Sequence, residues 1–235
     1  MNTARDVLTE LERVSSPTQA VQAMRFFKTG KGQYGEGDVF IGIKSPDIKK
    51  LAQKYARDLD LKETEELLRH PYHEARSLAL TLLTLKFPRA EMKGKEEIVR
   101  LYLKNREFIN NWDLVDISAY KILGQYVFLT QDSSLLYELA RSNHLWSERM
   151  SIIACLYLIK KGDFTDIRKL AVFFLSHPHD LMHKAVGWML REMGKADPEA
   201  LRTFLDGHAR EMPRTALRYA IERLPADKRK YYLSL

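Results

Sequence analysis

"DLMHKAVGWMLREM", residues 180–193, carries one apolar stripe and one large ring that does not belong to it. Met182, Ala185, Val186, Met189, Leu190 and Met193 recur at three- and four-residue spacing, the period of an amphipathic helix. On a wheel of ~100° per residue these side chains share one arc and Trp188 points roughly opposite. Lys184 precedes Trp188 by four residues and Arg191 follows it by three, so the far face holds a ring between two cations. Interleaved rings and cations suit nucleic acid, the rings meeting base or sugar and the cations meeting phosphate. Contact with the next helix pair is the other reading.

The same period runs nearly the length of the chain, with no convincing run of strict alternation. Helices are expected over 3–14, 17–28, 46–58, 61–69, 72–86, 93–105, 111–124, 132–141, 145–161, 164–176, 180–194, 198–211 and 213–224. Ser45-Pro46 reads as a cap followed by proline in the first turn, and Gly162, Pro178, Pro198, Pro213 and Pro225 punctuate the rest. Short helices, brief connections and no strands predict an all-α, HEAT-like array of stacked helix pairs, read as one domain over 1–235. Trp112, Trp146 and Trp188 lie 34 and 42 residues apart. Those gaps are close to one helical repeat of about 40 residues. Arg149 and Arg191 each follow a tryptophan by three.

Composition narrows the partners. The 235 residues include 38 Lys+Arg against 31 Asp+Glu, a net charge of +7. That balance favours a polyanion, either nucleic acid or an anionic membrane surface, over neutral partners; a basic solvated face is the plain alternative. The single cysteine, Cys155, excludes an intrachain disulfide framework and a multi-cysteine metal cluster, and "SIIACLYL" reads as a buried, inert thiol. The opening "MNTARDVLTELERV" is helical and charged rather than a signal peptide, and no uncharged apolar run approaches about 18 residues. A soluble, cytoplasmic protein with no membrane partner is expected.

The candidate chemistry lies in "NNWDLVDISAYKIL", residues 110–123. Trp112, Val115, Ala119, Ile122 and Leu123 share an arc, with Asp116 at its edge ~40° from Trp112. Asp113 sits ~60° further round towards solvent, either a first-turn acid with Asn111 as cap or a DNA-facing helper to Asp116. Asp116 lies past the first turn beside apolar residues, so it is either a buried partner of an arginine or a working carboxylate. On 145–161, Trp146 shares an apolar arc with Met150, Ile153 and Tyr157, while Arg149 is embedded between Ile153 and Leu156. An arginine there needs an acid or a phosphate. It is expected to pair with Asp116 in the free protein and to share a phosphate when DNA binds.

Other motifs carry less. "GKGQYG" (30–35) matches G-x-G-x-x-G, but it follows a helix and opens none. Residues 29–40 are read as a flexible glycine-rich loop whose Lys28 and Lys31 can touch phosphate. "HPYH" (70–73) and "HPHDLMH" (177–183) lack the ligands for a metal, and no P-loop, H-E-x-x-H or Ser-His-Asp arrangement is visible. No metal, nucleotide or other cofactor is expected. Arg214 and Arg218, one turn apart in "PRTALRYAIERL", and the basic "DKRKYY" form either a phosphate-facing or a solvated surface.

Taken together, "FFKTGKGQYGEGDVFIGI" (26–43), "WDLVD" (112–116), "LWSER" (145–149), "KAVGWMLRE" (184–192) and "PRTALRYAIE" (213–222) resemble the AlkD-type family of alkylpurine DNA glycosylases over roughly residues 20–225. The resemblance implies a right-handed solenoid of HEAT-like helix pairs with a basic concave face for duplex DNA. It also implies a monomer that excises cationic lesions such as 3-methyladenine and 7-methylguanine. By position, Asp116 matches the catalytic carboxylate, Trp112 and Trp188 the aromatic pair flanking the lesion nucleotide, and Arg149 the arginine near the adjacent phosphate. Phe26 stands where founding members carry tyrosine, so a hydroxyl contact is missing. Two rivals are a non-catalytic HEAT-like protein binding damaged or branched DNA and a helical scaffold for an acidic protein.

Overall fold

A computed structural model of the chain describes residues 2–235. The chain is all-α and divides into two compact units, residues 1–118 and 119–235. The first contains α1 (Ala4–Arg13), α2 (Pro17–Phe26), α3 (Ser45–Tyr55), α4 (Leu61–Leu68), α5 (His73–Lys86), α6 (Met92–Lys104) and nearly all of α7 (Trp112–Ala119). The second contains α8 (Gln125–Thr130), α9 (Ser134–Ala140), α10 (Leu145–Lys160), α11 (Thr165–Phe173), α12 (Asp180–Ala196), α13 (Pro198–His208), α14 (Arg214–Ala220) and α15 (Ala226–Ser234). The single helix expected over 111–124 is α7 followed by a π-helical turn, Tyr120–Gly124. The sequence reading stopped at 224 and missed α15, whose residues lack an apolar period.

Within each unit, helices pack on their sequence neighbours. In the first, α5 packs against α3 and α4; in the second, α10 packs against α9, α11 and α12, and α12 against α13 and α14. Neighbour-to-neighbour packing is the pattern of a helical-repeat array, in which no helix pair buries its apolar face alone. Each unit has one helix sunk in its core. Ala75, Leu78, Ala79, Leu80, Leu82 and Leu83 of α5 are wholly buried, as are Met150, Ile152, Ile153, Ala154 and Cys155 of α10. Close approach in the second unit depends on glycine. A Cβ on Gly187 of α12 would lie 2.4 Å from the Ala216 carbonyl of α14.

The connection from α2 to α3, residues 27–44, is anchored rather than free. The buried Glu74 carboxylate accepts the backbone N–H groups of Ile41 (3.1 Å), Gly42 (2.7 Å) and Ile43 (3.2 Å). Ile41 accepts from the Ser16 N–H and Val39 from the His73 N–H, fixing the far end of the segment to α2 and α5. Gly42 has φ +82, and a Cβ there would sit 2.1 Å from the Ser16 carbonyl, so only glycine fits. The glycine that meets these anchors is Gly42, which lies beyond the 29–40 stretch read as a loop.

Candidate functional site

α7 begins where the Asn111 side-chain oxygen accepts the Trp112 N–H at 2.9 Å. Leu114, Val115, Ser118 and Ala119 turn into the core, which leaves Trp112, Asp113 and Asp116 half-buried. Beneath this helix the buried Tyr102 hydroxyl meets Ser118 Oγ at 2.8 Å. Burial pushes that hydroxyl's pKa well up, and the negative charge of Asp116 pushes it the same way.

Trp112 stands at the end of a stack of rings. It lies over Phe27 at 5.2 Å and 25°, Phe27 over Phe40 at 4.9 Å and 14°, and Phe40 over His73 at 4.2 Å and 21°. Phe26 meets Trp112 edge-on at 5.8 Å while remaining 64% exposed. The indole N–H donates to the Tyr34 hydroxyl at 3.3 Å. Packing on one side and the N–H bond fix the ring, so its orientation is set before any ligand arrives.

Under the rings runs a chain of charges. His73 Nδ1 faces Asp38 Oδ2 at 2.7 Å, and His73 Nε2 faces Asp113 Oδ2 at 2.8 Å. Both ring nitrogens therefore donate to carboxylates, which requires the imidazolium. Burial opposes that charge, but Asp113 and Asp38 outweigh it and raise the His73 pKa to about 9. Asp38 has its pKa lowered: burial resists ionisation, and His73 and Arg76 prevail. Arg76 binds Asp38, the carbonyls of His70 (3.0 Å) and Pro71 (2.8 Å), and Asn110 Oδ1 (3.2 Å). Asp113 does not face solvent as its wheel position suggested; its side chain is only 22% exposed because α5 reaches it.

In the second unit Arg149 is buried and donates through Nη1 to the Leu181 carbonyl at 2.6 Å. Its neighbour Glu148 accepts from His177 at 3.1 Å. Trp188 is half-buried, and its indole N–H donates to Glu192 one turn on at 3.1 Å. Lys184 pairs with Asp180 at 2.7 Å, and Arg191 pairs with Glu222 and lies 6.0 Å from the Tyr219 ring. Arg214 is exposed and donates to the Leu233 carbonyl at 2.6 Å; Arg218 is exposed and lines a concavity of about 680 Å³ with Arg229 and Lys230.

In the first unit, then, Phe26, Trp112 and Asp113 meet in one cluster, with Asp116 on the same helix, while Lys28 and Lys31 are exposed on the connecting segment. The sequence reading missed Asp38, His73, Glu74, Arg76 and Tyr34. One signal was available: "HEAR" (73–76) puts three ionisable residues in the first turn of an otherwise apolar helix, where each needs a partner. Among the described residues no cluster of His, Cys, Asp or Glu is arranged to hold a metal ion, and no helix is long and apolar enough to cross a membrane.

The model of one protein family, described as DNA alkylation repair enzyme, matches residues 7–224. Among solved structures, a predicted DNA alkylation repair enzyme from Enterococcus faecalis superposes with a TM-score of 0.68 at 18% identity, covering 90% of this chain and 97% of its own. At that identity the likeness is one of fold. No curated protein matches the chain.

Proposed function

We propose, for a chain that belongs to the family of DNA alkylation repair enzymes, that it is a glycosylase hydrolysing the N-glycosidic bond of cationic alkylated purines in duplex DNA. The observation that carries this reading is Asp116 itself, a half-buried carboxylate one turn from the fixed ring of Trp112. Alkylation at N3 or N7 gives the purine a positive charge, so the base leaves with the electron pair of the broken C1′–N bond and becomes neutral. No general acid is needed, in contrast to O-glycoside hydrolysis with its two carboxylates. The sugar is left as an oxocarbenium ion. Asp116 stabilises that charge and orients the water that adds to C1′, taking up its proton or passing it to solvent.

Each remaining site residue has a part in this reading. Trp112 and Trp188 offer electron-rich faces to the cationic base and the electron-poor sugar, worth roughly 0.5–2 kcal/mol each. Arg149 serves the phosphate beside the lesion, and Lys28, Lys31, Lys184, Arg191, Arg214 and Arg218 the rest of the backbone. Phe26 supplies a ring edge without the hydroxyl that founding members have. The reading includes right-handed stacking of the helix pairs with duplex DNA on a basic concave face, a monomer, a cytoplasmic setting and no cofactor. The base's own charge does the work that a metal or acid does elsewhere.

The test is single-turnover release of 7-methylguanine from a defined duplex by wild type beside Asp116→Asn. Wild type is expected to release the base, and the variant to be slower by at least about 10²–10³-fold with its duplex affinity nearly intact. A variant that excises normally overturns the role of Asp116. No release by either, with duplex binding that falls steeply as salt rises, moves the conclusion to a non-catalytic binder of damaged or branched DNA.

A further inference from the structure

Residues 110–113, the entrance to α7, are held from one place. Arg76 binds Asn110, His73 binds Asp113, and both side chains come from the first turn of α5. The same turn holds the connection 27–44, through His73 and Arg76 on Asp38 and through Glu74 on residues 41–43. Four charges alternate in sign along this path, Arg76, Asp38, His73 and Asp113, and the first three are buried. Such chains are a poor way to gain stability, because apolar residues of equal volume often hold a core as well or better. What a chain of directed hydrogen bonds supplies is a fixed angle.

That angle matters at Asp116. Side chains on a helix end ~5–6 Å from its axis, so a rotation of ~10° moves a carboxylate by ~1 Å. Displacement on that scale can slow a positioned reaction by about 10²-fold. Asp113 precedes Asp116 by three residues on one helix, so anchoring the first sets the direction of the second. We propose that His73 is a positioning residue for base excision, fixing α7 through Asp113 and locking the 27–44 connection to it through Asp38. His73 does not meet the reacting atoms. This inference rests on the glycosylase reading.

The titratable and charged groups facing His73 are Asp38 from the connection, Asp113 from α7 and Arg76 from its own helix; Phe27 and Phe40 cover its ring. Deprotonation removes the donor to one of the two carboxylates, so the positioning is lost as pH rises through about 9. The experiment is single-turnover release of 7-methylguanine from pH 6 to 10 by wild type, His73→Gln and Asp113→Ala, with duplex Kd and thermal unfolding measured alongside. His73→Gln is expected to release base about 10²-fold more slowly at saturating enzyme, with Kd within about twofold of wild type. The wild-type rate is expected to fall above pH 9, while the variant's profile stays flat there. A folded His73→Gln that keeps pace with an active wild type overturns this inference and leaves the glycosylase reading standing. Should His73→Gln not fold, Asp113→Ala decides: its side chain is partly exposed, the substitution leaves His73 no acceptor on α7, and a wild-type rate from it is equally fatal. A wild type that releases no base overturns both readings together.

Discussion

α5 and α10 are counterparts, each the sunken helix of its unit, yet they treat buried charge differently. Both open with an acid and an arginine, Glu74 and Arg76 on one, Glu148 and Arg149 on the other. On α5 these groups serve a long connection without a helix of its own, whose amides at 41–43 go to Glu74 and whose Asp38 goes to His73 and Arg76. On α10 they meet a short connection that largely satisfies itself. His177 Nδ1 accepts the His179 N–H at 3.0 Å, and His179 Nδ1 accepts the Leu181 N–H at 3.1 Å. A ring nitrogen that accepts an N–H carries no proton, so these imidazoles act as neutral caps. His73, with a carboxylate on each nitrogen, is a cation. Orphaned backbone is costly wherever it is buried; both units use a ring-nitrogen cap, His70 Nδ1 accepting the Tyr72 N–H at 3.1 Å in the first, and the first adds to it the chain of linked charges Arg76, Asp38, His73 and Asp113.

The largest effect expected from this contrast is on Asp38. Asp38→Ala leaves His73 and Arg76 facing each other in the core with one counter-charge gone, and breaking a buried pair this way costs about 3–5 kcal/mol. Urea unfolding should show a loss of that size. A loss below about 1 kcal/mol would mean that water reaches the chain and that the two units differ less than their geometry indicates.

A pH titration of stability sharpens the same comparison. The folded pKa of His73, about 9, lies above the value of 6.5 for a free imidazole. The stabilisation is therefore fully present below pH 6.5 and is lost as pH rises through 9, amounting to about 3 kcal/mol. Urea midpoints should decline over that window in wild type and stay level in His73→Gln. A parallel decline in both would assign the slope to other groups.

Much of this was legible in the sequence, and the boundary is physical. Helix period and punctuation follow from local chemistry, so the stripe of α12 and the breaks at Gly162 and Pro198 could be read directly. The place of Trp112 and Asp116 on one helix followed from spacing alone. His73 did not, because its partners are 35 and 40 residues away, at Asp38 and Asp113. A wheel shows which side of a helix a residue occupies but not what comes to meet it. Asp113 was accordingly assigned to solvent when α5 supplies its partner. The turns of 29–40 were out of reach for a related reason: composition shows where glycines cluster, but not that Gly32 and Gly37 take positive φ.

The smallest effect tests the neutral side of the comparison. Glu148 Oε2 faces His177 Nε2, and the His177 Nδ1 already accepts an N–H, so Nε2 carries the single ring proton. Glu148→Gln keeps an oxygen able to accept that proton and removes only the charge assisting the bond. A loss of about 0.5–1.5 kcal/mol is expected, the range of an ordinary hydrogen bond. Urea unfolding of this variant beside Asp38→Ala then weighs the two designs on one scale. If Glu148→Gln proves as damaging as Asp38→Ala, the second unit also depends on ionic charge at its sunken helix, and the division into charged and neutral clasps fails. If its cost is small, a neutral hydrogen bond is sufficient there, and the charge chain of the first unit calls for a purpose beyond stability, such as fixing the helix that carries Asp116.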